Sequence, residues 1–221
     1  MLRGLFVTGT DTNVGKTAVA AALLHRYRAQ VSLRYWKPIQ TGIEHDDDTA
    51  EVRRLTGCGP GDVLSSGVRL PNPVSPHLAA RLNGCSIELQ RLVQSILAAR
   101  GRARWIVEGA GGALVPINDS QLMADLIVQL GLPVVVAARS VLGTINHTLL
   151  TLEALRGRSL DVAGVVMIGP REPENRLAIE RYGRVAVLGE MPRFDALTRE
   201  QLAAWSVSEL DPQSLLFKLL Q

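Results

Sequence analysis

Cysteine is scarce in this sequence, since only Cys58 and Cys85 occur among its 221 residues. Two cysteines give no disulfide framework, and their spacing is not that of a metal site. We expect both to be small buried or inactive side chains, because free cysteine is often buried. Long apolar runs are also missing, since none reaches the roughly 18 residues that span a bilayer. These absences exclude a disulfide-stapled protein and predict no transmembrane segment.

A strong excess of one charge is absent as well. The chain has 24 basic and 21 acidic residues, a net charge of +3, and the basic residues are scattered. Such a small excess does not predict a nucleic-acid surface. Residues 1–7 run straight into a glycine-rich motif and lack the form of a signal peptide. We therefore expect a cytoplasmic protein that binds neither nucleic acid nor a membrane.

Lysine is rare among the basic residues, of which three are lysine and 21 are arginine. Two of the three, Lys16 and Lys37, stand in motifs described below, whereas Lys218 does not. Lysine is a compact point charge on a flexible stem, whereas arginine is a wide planar fork. The use of lysine at these two positions hints at a cation that must fit among phosphate oxygens.

Apolar segments alternate with helical patterns along the chain. Continuous apolar strands of this kind are typical of a parallel sheet that is covered on both faces. There is no internal repeat, low-complexity tract or linker, so the sequence predicts a single α/β domain over residues 1–221 with helices on both faces of a mostly parallel sheet. The predicted strands are 5–7, 31–36, 105–107, 133–138, 162–168 and 184–188, and the predicted helices are 17–28, 87–99, 122–130 and 148–156.

A phosphate-binding loop follows the first predicted strand. The segment Gly9-Thr10-Asp11-Thr12-Asn13-Val14-Gly15-Lys16-Thr17 lies between a strand and a helix, as a P-loop requires. The usual loop has glycine in place of Thr10, whereas here the glycine is one position earlier. Backbone N–H groups at the helix start favour phosphate, Lys16 reaches the β- and γ-oxygens, and the Thr17 hydroxyl coordinates Mg²⁺. The loop predicts a P-loop NTPase fold that binds a nucleoside triphosphate, and leaves the use of the phosphate open.

Acidic residues and a second lysine follow other predicted strands. Glu108 ends the strand 105–107 before a glycine run, where an acid helps to hold Mg²⁺ in P-loop proteins or is an ordinary turn residue. Asp46-Asp47-Asp48 stands at a predicted helix start, and helix capping explains it as well as a metal role for one of the three. Lys37 follows the second strand and would share an edge of the sheet with Lys16. Two cations there imply a strongly anionic ligand, unless Lys37 is a solvated strand-end residue.

Four motifs stand in order along the chain. They are residues 7–17, Trp36-Lys37-Pro38-Ile39-Gln40-Thr41-Gly42, Val107-Glu108-Gly109-Ala110-Gly111-Gly112 and Leu142-Gly143-Thr144-Ile145-Asn146-His147-Thr148. Together they resemble the dethiobiotin synthetase family over most of residues 1–169, including the unusual place of Gly9. The resemblance implies an ATP-dependent cyclo-ligase that joins 7,8-diaminononanoate and CO₂ into the ureido ring of dethiobiotin. The ring closes through a carbamate and a carbamic–phosphoric anhydride, with release of ADP and phosphate.

The resemblance also implies a role for each matching residue. Lys37 would be the catalytic lysine and would act with Lys16 on the carbamate and the transferred phosphoryl group. The Mg²⁺ ligands would be Thr17, Asp48 and Glu108. The nucleotide-binding set would be Asn13, Val14, Gly15, Lys16, Thr17, Ala18, Asp48, Glu108, Gly109, Ala110, Gly111, Pro192, Arg193 and Phe194. The substrate-binding set would be Thr12, Lys37, Thr41, Gly111, Leu142, Gly143 and Asn146.

A homodimer is a further implication of the resemblance, with segment 142–146 of one subunit closing over the substrate of the other. An ordinary helix start capped by Thr144 is the alternative for this segment. One departure concerns the nucleotide base. Many family members read adenine with an Asn-Asp pair where this chain has Ile168-Gly169-Pro170. The sequence therefore leaves the base preference open, as it does the order in which the two amines react, the kinetic constants and the geometry of the dimer.

Two other functions use a similar loop. A P-loop switch protein of the partitioning or septum-positioning type carries another lysine near the loop start, where this chain has Thr10-Asp11. A glutamine-dependent amidoligase needs a glutaminase domain with a nucleophilic cysteine, for which 221 residues leave no room. Both are therefore weaker predictions than the cyclo-ligase.

The histidines carry little functional signal. His25 stands on a predicted helix among charged residues, and we expect it to be solvated. His77 is predicted to start a helix rather than to act as a base. His147 is expected either to orient the dimer segment or to pack against it.

Overall fold

The computed structural model describes residues 2–221, which form a central sheet between two layers of helices. The strands are β1 (Gly4–Gly9), β2 (Leu33–Trp36), β3 (Ile39–Thr41), β4 (Val63–Leu64), β5 (Val68–Leu70), β6 (Arg104–Gly112), β7 (Val134–Arg139), β8 (Val162–Ile168) and β9 (Val187–Met191). The helices are α1 (Lys16–Tyr27), α2 (Asp48–Thr56), α3 (Pro76–Leu82), α4 (Leu89–Ala98), α5 (Met123–Leu130), α6 (Thr144–Arg156), α7 (Pro173–Gly183), α8 (Arg199–Ser208) and α9 (Leu215–Leu220), with a short 3-10 helix at Pro60–Asp62.

The main sheet has seven strands within residues 2–221, in the order β4-β2-β6-β1-β7-β8-β9, and all its neighbouring strands pair in parallel. A second, two-stranded parallel sheet joins β3 to β5. The predicted α/β fold with a mostly parallel sheet is therefore confirmed. The prediction of a single domain over residues 1–221 stays a prediction, and Met1 lies outside the described residues.

Two hydrophobic clusters cover the two faces of the sheet. Leu5 and Val7 of β1 pack with α1 on one face, whereas Phe6 between them packs with α5 on the other. The same alternation in β6 sends Ile106 toward α1 and Val107 toward the opposite face, because successive strand residues point to opposite sides. Buried apolar residues on both faces explain why the strands read as continuous apolar runs.

The strand order reverses around β1. The chain runs from β1 to β2 and β6 on one side of the sheet, and to β7, β8 and β9 on the other. The loop after β1 therefore opens at the point where ligands bind in doubly wound sheets, beyond the carboxyl ends of the strands. This topology places the P-loop between β6 and β7.

Two predicted strands differ from the structure by three or more residues at one or both ends. β6 continues from the predicted 105–107 to Gly112, so Glu108 lies inside the strand rather than at its end. Glycine has a low strand preference, yet this run still pairs with β1, where Gly112 lies opposite Gly9. β9 begins at Val187 instead of 184, because Arg184, with a φ of 45°, terminates a helix that the sequence pattern did not predict.

Helix α6 starts four residues earlier than predicted. Its N-cap is Gly143, with a φ of 93°, and Thr144 is the first helical residue. The alternative that Thr144 caps this helix is therefore wrong. Threonine and asparagine are weak helix formers, which explains why the first turn was not recognised.

The prediction that His25 is solvated is also wrong. This side chain is half-buried, and its Nε2 lies 2.8 Å from the carbonyl oxygen of Leu55 in α2. Burial lowers the pKa of His25 below its ordinary value of 6.5. His77 does lie in the first turn of α3, as predicted. Among residues 2–221, no helix combines the length and hydropathy required to span a membrane.

Candidate phosphate and metal site

The P-loop owes its shape to left-handed backbone and to close packing. Asn13 has a φ of 55°, and Gly15, with a φ of 93°, is the N-cap of α1. A side chain at Gly9 would place its Cβ 2.5 Å from a methyl carbon of Val14. Glycine at position 9 therefore lets the loop fold back on itself, and the first amides of α1 face the space beyond β1.

Lys16 is the first residue of α1 and is 7% exposed. Its Nζ donates a hydrogen bond to the Asp11 carbonyl oxygen at 2.9 Å, across the loop. Burial, with a further contribution from the charge of Lys37, lowers the pKa of Lys16 to about 8. Phosphate oxygens would offset this burial, since an adjacent anion favours the charged amine.

A second lysine is bound between two carboxylates that come from different elements. The Nζ of Lys37 lies 2.5 Å from Oδ2 of Asp48 and 2.8 Å from Oε1 of Glu108. It also donates to the carbonyl oxygen of Gly109 at 3.0 Å. Lys37 is only 2% exposed, so the alternative of a solvated strand-end lysine is wrong.

The charges of this cluster depend on one another. Burial by itself would lower the pKa of Lys37, but Glu108 and Asp48 outweigh burial and raise it. Burial raises the pKa of Glu108, and Lys37 opposes that rise. Burial also acts to raise the pKa of Asp48, but the adjacent ammonium group prevails and the pKa is lowered. Lys37 is therefore a charged ammonium group at neutral pH.

Oxygen atoms suited to a hard divalent cation meet at Thr17. Its hydroxyl lies 2.7 Å from Oδ1 of Asp48 and 3.0 Å from Oε1 of Glu108. Two carboxylates and one hydroxyl fit a magnesium-like ion, which is commonly held by one or two carboxylates together with substrate phosphates. No group of three or more His, Cys, Asp or Glu side chains suited to a metal occurs in the described part of the chain. The residues present therefore fit a cation that is bound together with a nucleotide.

The acidic run before α2 has two separate functions. Asp47 is the N-cap, and its Oδ1 accepts hydrogen bonds from the amides of Thr49 and Ala50. Asp48, the first residue of the helix, turns its carboxylate toward Lys37 and Thr17. Capping and a place in the charged cluster, which the sequence presented as alternatives, thus belong to neighbouring residues.

These groups line one cleft of about 380 Å³ beyond the strand ends. It contains both lysines and all three proposed metal ligands. The residues with a role implied by the family resemblance that line it are Thr12, Asn13, Gly15, Lys16, Thr17, Ala18, Lys37, Thr41, Asp48, Glu108, Ala110 and Gly111. Gly111 has a φ of 65°, and a Cβ there would lie 2.7 Å from a methyl carbon of Val115. Side chains other than glycine would therefore strain this wall of the cleft.

Several residues assigned by the resemblance lie outside this cleft. Val14 and Arg193 line a second cleft of about 490 Å³, which shares Asn13 and Gly15 with the first. Gly109 contributes its carbonyl oxygen to Lys37 and otherwise packs against Phe6. The remaining ones lie elsewhere: Phe194 packs against the core, and Pro192, Leu142, Gly143 and Asn146 are exposed.

The second cleft adjoins the residues that replace the family's base-reading pair. Ile168, Gly169 and Pro170 line it, and Ile168 approaches Gly15. The nearby Asn175 is not directed into this cleft, because its side-chain amide donates to the carbonyl oxygen of Ser140 at 2.8 Å. The structure thus provides no reason to give Asn175 the missing role.

Two buried residues of the site were not recognised from the sequence. Tyr35 donates a hydrogen bond to Oε2 of Glu108 at 2.8 Å. The Nε2 of Gln40 donates to the carbonyl oxygens of Thr41 and Asp46, which fixes the segment before α2. The strand period could have revealed Tyr35, because residues two apart on a strand share a face. Tyr35 stands two residues before Lys37.

The comparisons with known proteins agree on a family. A model described as an AAA domain matches residues 3–201. ATP-dependent dethiobiotin synthetase BioD of Paramagnetospirillum magneticum is 50% identical over 202 residues, covering 91% of this chain and 94% of that protein. The protein with the same name from Agrobacterium fabrum is 46% identical over 196 residues, covering 89% of each. The biotin biosynthesis bifunctional protein BioCD of Bordetella avium is 48% identical over 205 residues, where the chain spans only 42% of that protein's length.

Solved structures resemble this chain at much lower identity. A ParA family ATPase from Chlorobium tepidum superposes with a TM-score of 0.58 at 10% identity, covering 93% of this chain and 98% of the other. The septum site-determining protein MinD of Pyrococcus horikoshii, complexed with Mg-ADP, gives 0.57 at 17%, covering 100% of this chain and 95% of the other. At such identities the likeness shows the P-loop fold and nothing about function.

Proposed function

Because the chain belongs to the dethiobiotin synthetase family, we propose that the cleft at the P-loop carries the family's ATP-dependent ring closure. The enzyme is a cyclo-ligase that converts 7,8-diaminononanoate, CO₂ and ATP into dethiobiotin, ADP and phosphate. One amine takes up CO₂ as a carbamate. A carbamate oxygen attacks the γ-phosphorus of ATP and displaces ADP, which gives the carbamic–phosphoric anhydride. The second amine then attacks the carbonyl carbon of the anhydride and expels phosphate, which closes the ring.

One observation carries the assignment of residues. A single cleft is lined by Lys16, Lys37 and the oxygens of Thr17, Asp48 and Glu108, although these residues come from four separate segments of the chain. The reaction must bring a carbamate and a γ-phosphate together, and two anions repel each other strongly where water is excluded. Preorganised cations offset that repulsion as charge moves in the transition state.

The roles follow from position. The amides at the start of α1 and Lys16 bind the phosphates of ATP. Lys37, which lines the same cleft, neutralises the carbamate and the transferred phosphoryl group. Thr12, Thr41 and Gly111 border the diamine. No protein nucleophile is required, because the carbamate supplies the attacking oxygen.

Thr17, Asp48 and Glu108 would hold the divalent metal that a P-loop enzyme uses, and we propose that the metal is Mg²⁺. Their oxygens suit this hard cation, which binds through a few carboxylates and phosphate oxygens. When bound, it would offset charge on the β- and γ-phosphates. The protein keeps the three oxygens together through the β6 strand and the N-terminus of α2.

The proposed nucleotide site near the P-loop is completed by Asn13, Val14, Gly15, Ala18, Gly109 and Ala110. The base would be flanked by Pro192, Arg193 and Phe194. Support for the base side is strongest for Arg193, which lines the second cleft beside Gly15. We also propose a cytoplasmic location, because the co-substrate ATP is a cytoplasmic metabolite.

A homodimer is part of this proposal, with Leu142, Gly143 and Asn146 of each subunit reaching the partner's substrate. Leu142 is 100% exposed, on the loop that precedes α6. Exposed leucines at 114 and 150 line a third cleft, of about 290 Å³, which also includes Thr12. An apolar surface beside the substrate site supports a covering partner.

The test is direct synthesis. The protein would be incubated with ATP, Mg²⁺, bicarbonate and 7,8-diaminononanoate, and dethiobiotin would be detected by mass. We expect product only when all four are present. Lys37→Ala should lower the rate by roughly 10²–10³-fold, the usual cost of losing a preorganised transition-state contact.

The matched control is Lys218→Ala, which removes the exposed third lysine and should leave the rate unchanged. Equal rates for the Lys37 and Lys218 variants would remove the proposed role of Lys37. ATP turnover that needs DNA or lipid instead of the diamine would favour a switch protein and contradict the proposal as a whole.

A further inference from the structure

We propose that Tyr35 is a positioning residue that holds one oxygen of Glu108 so that the other faces the metal. This inference rests on the proposed function, since it requires a divalent cation at Thr17, Asp48 and Glu108. The phenol oxygen lies 2.8 Å from Oε2 of Glu108. The other oxygen, Oε1, lies 3.0 Å from the Thr17 hydroxyl and 2.8 Å from Nζ of Lys37. The two carboxylate oxygens thus have separate sets of partners.

Strand register brings the two side chains together. Tyr35 pairs with Ile106, and Trp36 with Val107, in the parallel β2–β6 ladder. Tyr35 and Ile106 pack in the hydrophobic cluster on the α1 face. Glu108 lies two residues after Ile106 and therefore shares its face. Tyr35 of β2 and Lys37, the residue that follows the strand, both donate to Glu108.

Burial leaves little freedom to either partner. Tyr35 and Glu108 are both 0% exposed. Within residues 2–221, the Tyr35 hydroxyl is the only hydrogen-bond donor to Oε2 of Glu108. An oxygen of a buried carboxylate without a donor is costly. Removing the hydroxyl would therefore leave Oε2 without a donor and let the carboxylate rotate, which weakens a metal ligand.

Tyrosine suits this task better than a charged residue. The phenol of tyrosine has an ordinary pKa of about 10. The phenol therefore stays a neutral donor at working pH and does not compete with the cation for charge. Groups behind the ligands of a metal site commonly orient them in this way, and their loss typically costs about 10- to 100-fold in metal affinity.

The experiment measures how much Mg²⁺ strengthens ADP binding. Affinity for ADP would be determined by titration calorimetry in EDTA and in saturating Mg²⁺, for the native protein, Tyr35→Phe, Glu108→Gln and the control Tyr182→Phe. Tyr182 is 65% exposed on α7. In Tyr35→Phe we expect the Mg²⁺-dependent gain to fall by about 10-fold or more, with unchanged affinity in EDTA. The control should match the native protein.

The outcomes separate this inference from the proposed function. A native protein whose ADP affinity does not respond to Mg²⁺ would remove the metal site itself. A native gain that Glu108→Gln abolishes and Tyr35→Phe retains would overturn only the role of Tyr35. An equal loss of ADP affinity in EDTA and in Mg²⁺ would show a general structural role for Tyr35, and would also overturn it.

The double variant Tyr35→Phe/Glu108→Gln gives a second measurement, which can be made even if the single variant Tyr35→Phe does not fold. A glutamine at 108 carries no buried charge that needs the phenol. The double variant should therefore fold and match Glu108→Gln in both conditions. An ADP affinity lower in the double variant than in Glu108→Gln, in EDTA or in Mg²⁺, would show that Tyr35 does not act through Glu108, and the inference would fail.

Discussion

Asp47 and Asp48 are neighbours in sequence with different partners in the structure. The carboxylate of Asp47 caps the amides of α2, and that of Asp48 contacts Lys37 and Thr17. Because the two residues are one position apart at the helix start, the Asp47 side chain points to the first amides of the helix and the Asp48 side chain points into the cleft. Two substitutions can therefore separate stability from catalysis.

Replacing Asp47 by Ala should cost about 1 kcal/mol of unfolding free energy, the typical value of an N-cap. That corresponds to a fall of roughly 2–4 °C in Tm for a chain of this size, with little change in the rate of synthesis.

Asp48→Asn should instead raise the Mg²⁺ concentration needed for half-maximal rate by roughly 10-fold or more. Thermal melts and Mg²⁺ titrations of the rate would measure both. The reverse pattern would show that the two roles are exchanged.

Lys16 and Lys37 differ in their partners although both are buried. Lys37 has two carboxylates beside it, whereas the Nζ of Lys16 donates to a backbone carbonyl. Burial therefore lowers the pKa of Lys16 to about 8, while the carboxylates raise that of Lys37. Over the residues that the structure describes, Lys16 therefore has no carboxylate paired with it, unlike Lys37. A lysine of this kind suits a site that binds the negative charge of a polyphosphate.

At the scale of the element, β6 places the central carboxylate by its length. The strand runs through Glu108 to Gly112, and its glycines allow the backbone to approach both β1 and the cleft. A strand that ended at 107 would leave Glu108 on a loop. Its oxygens would then lack the fixed contacts with Tyr35, Thr17 and Lys37.

Helix α2 is joined to α1 by His25, whose Nε2 lies 2.8 Å from the Leu55 carbonyl oxygen. Burial lowers the pKa of His25 in the folded protein below its ordinary value of 6.5. The unfolded chain therefore binds more protons than the folded one at mildly acidic pH. The contribution of His25 to stability is present above pH 6.5 and is lost as the pH falls through the lowered pKa.

As the pH is lowered from 7.5 to 5, we expect the free energy of unfolding to fall less in His25→Gln than in the native protein. The other titrating groups affect the two proteins equally. Urea unfolding at several pH values would measure the difference. His45→Gln, at an exposed position before α2, serves as the control and should follow the native curve. A His25 variant with the same pH dependence as the native protein would contradict the prediction.

At the scale of the whole molecule, the sheet brings three clefts around one loop. The first contains the charged cluster, the second adjoins the residues that would hold the base, and the third is mostly apolar. Thr12 borders the first and third, and Gly15 the first and second. This division suits phosphate, base and partner subunit on different sides of the P-loop.

The proposed dimer gives a prediction at this scale. The native protein should have a solution mass of about twice 23.9 kDa, measured by light scattering after size exclusion. Leu150→Asp should shift the mass toward the monomer and raise KM for the diamine, because a charge would enter the apolar surface. Val207→Asp, at an exposed position of α8 on the opposite face of the sheet, is the control. A native monomer with full activity would contradict the dimer.

Most of the fold could be predicted because its strands are continuous apolar runs. Segment 162–168 was predicted with the bounds of β8, and 133–138 lies within one residue of β7. The helices α7, α8 and α9, strand β4 and the small sheet of β3 and β5 were not predicted, and only the starts of α2 and α3 were. Their residues mix polar and apolar side chains in short stretches, for which periodicity is a weak signal.

The sequence by itself determined the chemistry of the site. Phosphate binding depends on contiguous residues, with Gly9, Gly15, Lys16 and Thr17 in fixed spacing, so a local motif is sufficient to predict it. Only the tertiary structure decided which distant groups meet there. Tyr35 and Glu108 are 73 positions apart, and strand register, which no local pattern records, turns them to the same face. The strand period puts Tyr35 on the face of Lys37, but register depends on pairing across the whole sheet. The contact between Tyr35 and Glu108 could therefore not be derived from the residues around Glu108.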